Sequence, residues 1–210
     1  NAVDAVRMQF DHLLNDNQLQ EAERLLEEIL NGNDVESYDL DYMKGKLFLC
    51  KGEYHEAKNH LVIAKEEQEK ELGLADYITA QTTNCLAICL WKTGELHEAA
   101  KLFREALSTF RLEEDSNIVN LLCNLSCIES EIRSYDDAIR HLKEAISIQQ
   151  KKFGEFHQSI AQMKESLGII FISSGNISDA KSELKLSLSI QKRNNVDNDI
   201  KCNTISYLAQ

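Results

Sequence analysis

Four of the six cysteines form two pairs whose spacing could place thiols side by side. Cys85 and Cys89 are four residues apart, as are Cys123 and Cys127, and side chains four residues apart share one face of a helix. Four converging thiolates could hold zinc or an iron–sulfur cluster. Structural zinc sites commonly space paired cysteines more closely, however, and small buried cysteines are frequent in helix packing. We therefore predict packing rather than a metal site, and no cofactor.

No other pattern in the sequence indicates catalysis. A glycine-rich phosphate loop, a His-Glu-x-x-His helix and a nucleophile elbow are all absent. The six histidines fall mostly in turn segments or on predicted helix surfaces. The chain is therefore predicted not to be an enzyme and to have no catalytic residues.

The charge balance of the 210 residues excludes one class of partner. There are 35 acidic and 23 basic side chains, a net charge of −12, and nucleic-acid binding needs a basic face. No apolar run is long enough to enter a membrane as a span. Residues 1–50 carry 11 acidic and 4 basic side chains. This acidic region favours a basic partner, although a solvated acidic surface remains an alternative.

The elements that position these residues are revealed by a short phrase that recurs five times. Each copy has a turn residue, acidic or polar residues suited to the first turn of a helix, and a closing Ala. The copies span residues 17–22, 52–57, 94–99, 133–138 and 175–180. A large and then a further residue, mostly small, follow the Ala at +4 and +7, on the same helix face. We call this second helix of each unit helix B.

A second amphipathic segment, helix A, precedes each turn. Residues 84–87, 123–126 and 165–168 occupy the same register in it, and each group closes with a small residue, Ala87, Ser126 or Gly168. A small residue there allows close contact between helix A and helix B. The pattern predicts an all-α fold of helical hairpins. The predicted repeats span approximately residues 1–34, 35–75, 76–115, 116–156 and 157–196, with the start of a further helix A over 197–210.

Leu86-Ala87, Gly94, Ala99, Phe103 and Ala106 together resemble the tetratricopeptide repeat (TPR). The two 42-residue intervals between closing alanines, and residues 145–157, resemble the long repeats of kinesin light chains and nephrocystin-like proteins. The resemblance implies a single right-handed α-solenoid superhelix of antiparallel helix pairs over residues 1–210. The chain lacks the Pro that often ends such repeats.

The resemblance also implies that the A helices line a concave groove. Asn124 and Asn84 match Asn positions of kinesin light chains, and an Asn amide can pair with a peptide backbone of any sequence. Trp91 either anchors a ligand or packs between repeats. The predicted partner-binding residues are Tyr42, Lys46, Gln81, Asn84, Ile88, Trp91, Asn120, Asn124, Cys127, Gln162, Glu165, Ser166 and Ile169.

Cochaperone repeats that bind the C-terminal tails of Hsp70 or Hsp90 resemble one another in a clamp of Lys, Asn and Arg residues, because opposed cations bind a di-carboxylate. The frame over the first three repeats places Arg7, Asp11, Met43, Gln81 and Cys85 at those positions. The later frames also lack the clamp. Binding of Hsp70 or Hsp90 tails is therefore not expected.

The sequence thus predicts a scaffold or adaptor that captures a peptide or helix of a partner protein in the groove. Two alternatives stay open: a regulatory segment of a larger enzyme, or a passive structural spacer in a multiprotein complex. The chain has no recognisable secretory signal, and free thiols favour a cytoplasmic or nuclear location in a reducing compartment.

Overall fold

The computed structural model describes residues 2–32, 37–113 and 117–194, and within these ranges the chain is helical with no strand. The ten helices are α1 (Ala2–Asn15), α2 (Leu19–Gly32), α3 (Ser37–Lys51), α4 (Tyr54–Glu71), α5 (Tyr77–Lys92), α6 (Leu96–Leu112), α7 (Ile118–Glu131), α8 (Tyr135–Phe153), α9 (Gln158–Ser173) and α10 (Ile177–Arg193). The prediction of an all-α chain is confirmed. The further helix A expected over 197–210 lies outside the described residues.

The helices divide into two compact units, α1–α6 and α7–α10. In the first unit α1 packs on α2, α3 on α4 and α5 on α6, and in the second α7 packs on α8 and α9 on α10. Helix B of one pair also packs on helix A of the next, as α4 does on α5 and α8 on α9. Five successive pairs match the five predicted repeats, whereas the limits assigned to each repeat, and their union in one domain, stay a prediction.

The turn inside each pair has the same backbone conformation. Its first phrase residue has a positive φ in all five pairs: 59° at Asn17, 79° at Gly52, 89° at Gly94, 63° at Arg133 and 84° at Gly175. The next backbone N–H then donates to a carbonyl five residues earlier, at 2.7–2.9 Å, which satisfies a group left open by the end of helix A. The recurring phrase therefore encodes the end of helix A, at which one residue adopts the left-handed backbone conformation.

In two of the pairs, helix A and helix B lie very close together at a glycine of helix A. A Cβ added at Gly45 would lie 2.5 Å from Leu61 Cγ, and one added at Gly168 would lie 2.6 Å from Leu184 Cγ. No side chain fits at those distances without displacing the leucine. The same register holds Ala87 in α5 and Ser126 in α7.

The closing Ala of each phrase and the large residue four positions after it, which we call the alanine stripe of helix B, are part of the core. The closing Ala of every phrase is at most 1% exposed, and the large residue that follows it is at most 7% exposed. The large residues are Leu26, Leu61, Phe103, Leu142 and Leu184.

None of the helices in the described ranges combines the length and apolar character needed to cross a bilayer.

Candidate functional site

Two A helices of the α1–α6 unit, α1 and α3, are joined by ion pairs. Arg7 Nη1 of α1 donates to Asp39 Oδ1 of α3 at 3.0 Å, and both side chains are almost completely buried. Lys46 Nζ of α3 donates to Asp11 Oδ1 of α1 at 2.6 Å. The Arg7 guanidinium also lies 3.9 Å from the centre of the Tyr42 ring. We refer to Arg7, Asp11, Asp39, Tyr42 and Lys46 as the charge cluster.

Burial determines the electrostatics of the charge cluster. Burial raises the pKa of Tyr42 to about 12, against a lowering by Lys46, so the phenol stays neutral. For Lys46, burial lowers the pKa, but the neighbouring Tyr42, Cys85 and Asp11 outweigh it and the net pKa is raised, so the ammonium stays charged. The two cations of the cluster are therefore already bound to carboxylates of the same chain.

The predicted binding residues of the α1–α6 unit differ in their availability. Tyr42 is only 1% exposed and lies against Arg7, so its side chain does not reach the surface, which the helix pattern alone did not reveal. Gln81 accepts a hydrogen bond from Arg7 at 3.4 Å and donates one to Tyr77 Oη at 3.0 Å. Asn84 is partly exposed, and its Oδ1 is buried without a hydrogen-bond partner.

Ile88 and Trp91 are both partly exposed on α5. The ammonium of Lys92 lies 4.6 Å from the centre of the Trp91 ring. Such a position over an aromatic face is a favourable cation–π geometry. Trp91 thus has a cation of its own chain on one side and remains partly accessible.

The thiols of α5 are packing groups in this structure. Cys85 is 7% exposed and Cys89 is fully buried. Burial raises the pKa of Cys85 to about 11 and that of Cys89 to about 12, which keeps both protonated and unreactive at neutral pH. Among the described residues, no three His, Cys, Asp or Glu side chains converge in a way that could hold a metal ion.

In the α7–α10 unit, an open cleft lies between the two A helices. The cleft lies between α7 and α9, with two residues of α8 in its wall, and has a volume of about 280 Å³. None of its lining residues carries a charge. They are Val119, Asn120, Cys123, Ser126, Cys127, Leu142, Gln149, Ser159, Gln162, Met163 and Ser166. We call this the α7–α9 cleft.

Hydrogen bonds and burial define the chemistry of the α7–α9 cleft. Gln149 Nε2 donates to Ser159 Oγ at 3.1 Å, and Ser166 Oγ donates to the carbonyl of Gln162 at 3.2 Å. Burial, and then the charge of Cys127, raise the pKa of Cys123 to about 11. The cleft is therefore a neutral, amide- and hydroxyl-rich surface that also contains two thiol groups.

Four of the predicted binding residues come together in this cleft: Asn120, Cys127, Gln162 and Ser166. Asn124, Glu165 and Ile169 are partly exposed on the same two helices but do not line it. Sequence reasoning missed Leu142 and Gln149 as lining residues because they belong to helix B. It also missed Ser126, whose signal was a hydroxyl at a position that other repeats give to Gly or Ala.

A buried polar pair joins α7 and α8 at the other end of α7. His141 Nδ1 lies 2.6 Å from Glu129 Oε2, and both side chains are almost completely buried. In the α5–α6 pair, Leu90 occupies the register of Glu129. A hydrogen-bonded pair thus stands where the α5–α6 pair has a buried leucine, and it joins two helices that form part of the α7–α9 cleft.

Part of the sequence is similar to that of known repeat proteins. Residues 78–151 match the family model described as tetratricopeptide repeat. A TPR repeat-containing protein of Dictyostelium discoideum is 22% identical over 158 residues, which cover 72% of this chain and 9% of that protein. The chain therefore spans less than a tenth of the length of this curated relative.

Solved structures show the same fold. The nearly identical TPR-like repeats of a Podosopora anserina chain assigned to the kinesin light chains superpose with a TM-score of 0.71 at 18% identity, covering 92% of this chain and 96% of that one. YrrB, a TPR protein with an unusual peptide-binding site, gives a TM-score of 0.66 at 15% identity, over 94% of this chain and 88% of YrrB. The predicted α-solenoid fold class is thereby confirmed, and the chain resembles tetratricopeptide-repeat proteins, with the family match over residues 78–151 and a fold similar to that of kinesin-light-chain repeats.

Proposed function

We propose that this chain is a non-enzymatic scaffold or adaptor segment that binds a peptide or helix of a partner protein on the faces of its A helices. The observation that carries the proposal is the α7–α9 cleft, in which Asn120, Gln162 and Ser166 present polar groups around an uncharged hollow. Amide side chains offer both donors and acceptors, so they can pair with the backbone of a bound segment. Peptide binding by YrrB, a protein of the same fold, supports this use of the fold.

The other predicted residues are expected to contribute unequally to binding of the partner. Asn84 has an unpartnered acceptor, and Asn124, Glu165 and Ile169 flank the cleft on α7 and α9. Lys46 and Gln81 are engaged with Asp11 and Arg7, so we expect smaller contributions from them. Tyr42 is left out of the proposed surface because it is buried.

We also propose that the partner carries basic residues. The proposed location is a reducing compartment, cytoplasmic or nuclear. The acidic first fifty residues would attract cations outside the cleft by long-range electrostatics. Five cysteines of the described chain are free thiols, which agrees with a reducing environment. Hsp70 and Hsp90 tails are not proposed, since Arg7 and Lys46 are paired with internal carboxylates.

The test is a display selection of disordered segments of proteins against the 210-residue chain. An Asn120→Ala/Gln162→Ala variant alters the cleft, and an Asn59→Ala/Ser147→Ala variant alters exposed residues of α4 and α8 outside it. We expect an enriched motif whose Kd rises about tenfold or more in the cleft variant only, as for the loss of two hydrogen bonds. No enrichment, or equal binding by the cleft variant, would replace this function with that of a spacer or of a regulatory segment.

A further inference from the structure

Ser126 is a buried polar residue in the α7–α9 cleft whose hydroxyl has no internal partner. Its side chain lines the cleft, the residue is 1% exposed, and its Oγ makes no hydrogen bond. A serine in a helix commonly donates to the carbonyl of the preceding turn, as Ser166 and Ser173 do here at 3.2 and 3.0 Å. The hydroxyl of Ser126 therefore lacks the usual means of satisfying a buried polar group.

Helix packing does not account for the hydroxyl. Gly45, Ala87 and Gly168 occupy the same register in three other A helices. At two of these positions even a Cβ would collide with a leucine of helix B. Because a buried hydroxyl without a partner destabilises the free protein, Gly or Ala would suit the fold better. A ligand that gives the hydroxyl a hydrogen bond would explain its presence.

The size and lining of the cleft define that ligand. A volume of about 280 Å³ is slightly below the range of pockets that hold drug-sized molecules, and suits one side chain of a bound peptide with adjacent backbone. A charged side chain would enter without a counter-charge from any lining residue. A purely apolar side chain would leave Ser126 without a partner.

We propose that the α7–α9 cleft is a specificity pocket for a carboxamide side chain, Gln or Asn, of the partner segment. Val119 and Met163 provide apolar wall for its methylene groups, and Ser126 lies where the carboxamide can either donate to it or accept from it. The amides of Asn120 and Gln162 are available to the adjacent backbone. This inference rests on the proposed function, since it names the side chain that the same surface recognises.

The experiment is a selection of random seven-residue display peptides on the full chain, followed by binding measurements with synthetic peptides that carry Gln, Glu, Lys, Leu or Ala at the selected position. The variant is Ser126→Ala, which reproduces the residue found at position 87. Ser147→Ala, on the exposed face of α8, is the matched control. Thermal unfolding of the free proteins is measured in parallel.

We expect Gln or Asn to dominate one peptide position and its replacement by Glu or Lys to abolish binding. In Ser126→Ala, the Kd for the Gln peptide should rise about three- to tenfold, as expected for one hydrogen bond. The Leu peptide should bind the variant at least as well as the wild type does. The Tm of the free variant should rise, because an unsatisfied group has been removed; Ser147→Ala should leave both values unchanged.

Two results would overturn the inference in different ways. Peptides that bind the cleft with no Gln or Asn preference, or with the same preference in Ser126→Ala, would exclude the carboxamide pocket and leave the peptide-binding function intact. Absence of any enriched peptide, with the proteins folded, would remove the proposed function and this inference together.

Discussion

The A-helix faces of the two units differ in the side chains that lie between neighbouring A helices. In α1–α6, Arg7 of α1 is paired with Asp39 of α3, and Lys46 of α3 is paired with Asp11 of α1. In α7–α10, the corresponding helices are uncharged where they face each other, and a cleft of about 280 Å³ remains. The backbone unit, its turn and its alanine stripe are the same in both. Side chains at a few helix-A positions therefore decide whether ion pairs or a cleft lie between neighbouring A helices.

One aligned position makes the comparison concrete. Gln81 of α5 and Gln162 of α9 both follow a buried alanine, Ala80 or Ala161, near the start of their helices. Gln81 is partly buried and bonded to Arg7 and Tyr77. Gln162 is exposed and lines the α7–α9 cleft. The same residue type is thus structural in one unit and available in the other.

The largest expected effect comes from breaking the closed face. In Arg7→Met, the free energy of unfolding should fall by about 3–5 kcal/mol, because the buried Asp39 carboxylate loses its guanidinium partner. Urea denaturation followed by circular dichroism measures the change. The double variant Arg7→Met/Asp39→Leu should regain most of the loss. Equal instability of the single and double variants would show that the charge pair is not what holds this face.

The cysteines offer a second comparison between the units. Burial raises the pKa of Cys85 to about 11, so at pH 8 its thiolate fraction should be about a hundredfold below that of an ordinary thiol. Cys127 is exposed at the cleft. Alkylation read by mass spectrometry should modify Cys127 before Cys85, and labelling of Cys85 should accelerate as the pH rises toward 11. Comparable rates at pH 8 for both residues would contradict the packing role of Cys85.

The contact between helix A and helix B should respond differently in the two pairs of the second unit. Gly168→Ser should lower the free energy of unfolding by about 1–3 kcal/mol, because its Cβ would lie 2.6 Å from Leu184 Cγ. In the reverse exchange, Ser126→Gly, we expect a net change below about 1 kcal/mol, because removal of the unpartnered hydroxyl offsets the lower helix propensity of Gly. Chemical denaturation of both variants gives the comparison. Equal losses would mean that the α7–α8 contact is packed as tightly as the α9–α10 contact.

The smallest expected effect concerns the turns. Arg133 has a φ of 63°, in a position that Gly52, Gly94 and Gly175 hold in other pairs. Arg133→Gly should raise the free energy of unfolding by about 0.5–1 kcal/mol, since a side chain is unfavourable in the left-handed region. Gly94→Ala is the reciprocal control and should be destabilising. A loss of stability in Arg133→Gly would show that the arginine side chain compensates for the backbone strain.

Much of the fold could be predicted from the sequence because its signals are local and repeated. A turn residue, an acidic first turn and Ala at fixed spacing identify helix B without knowledge of distant contacts. The charge cluster could not be predicted in this way. Arg7 and Asp39 are 32 residues apart, and nothing in either helix pattern indicates that they meet.

The site was predictable only in part for the same reason. Helix periodicity indicates which side of α7 and α9 faces outward, and so it included Asn120, Gln162 and Ser166. It does not indicate how far apart the two helices lie, and that separation creates the cleft. Nor could it indicate that Ser126, assigned to the contact between helices, keeps a hydroxyl without a partner.

We propose that the α7–α9 cleft, and not the charge cluster, binds the partner segment. The most direct test measures the Kd of a display-selected peptide for two single variants at the aligned position, Gln162→Ala and Gln81→Ala, by isothermal titration calorimetry. We expect the Kd to rise about threefold or more in Gln162→Ala and to change less than twofold in Gln81→Ala. A larger loss in Gln81→Ala than in Gln162→Ala would contradict the proposal.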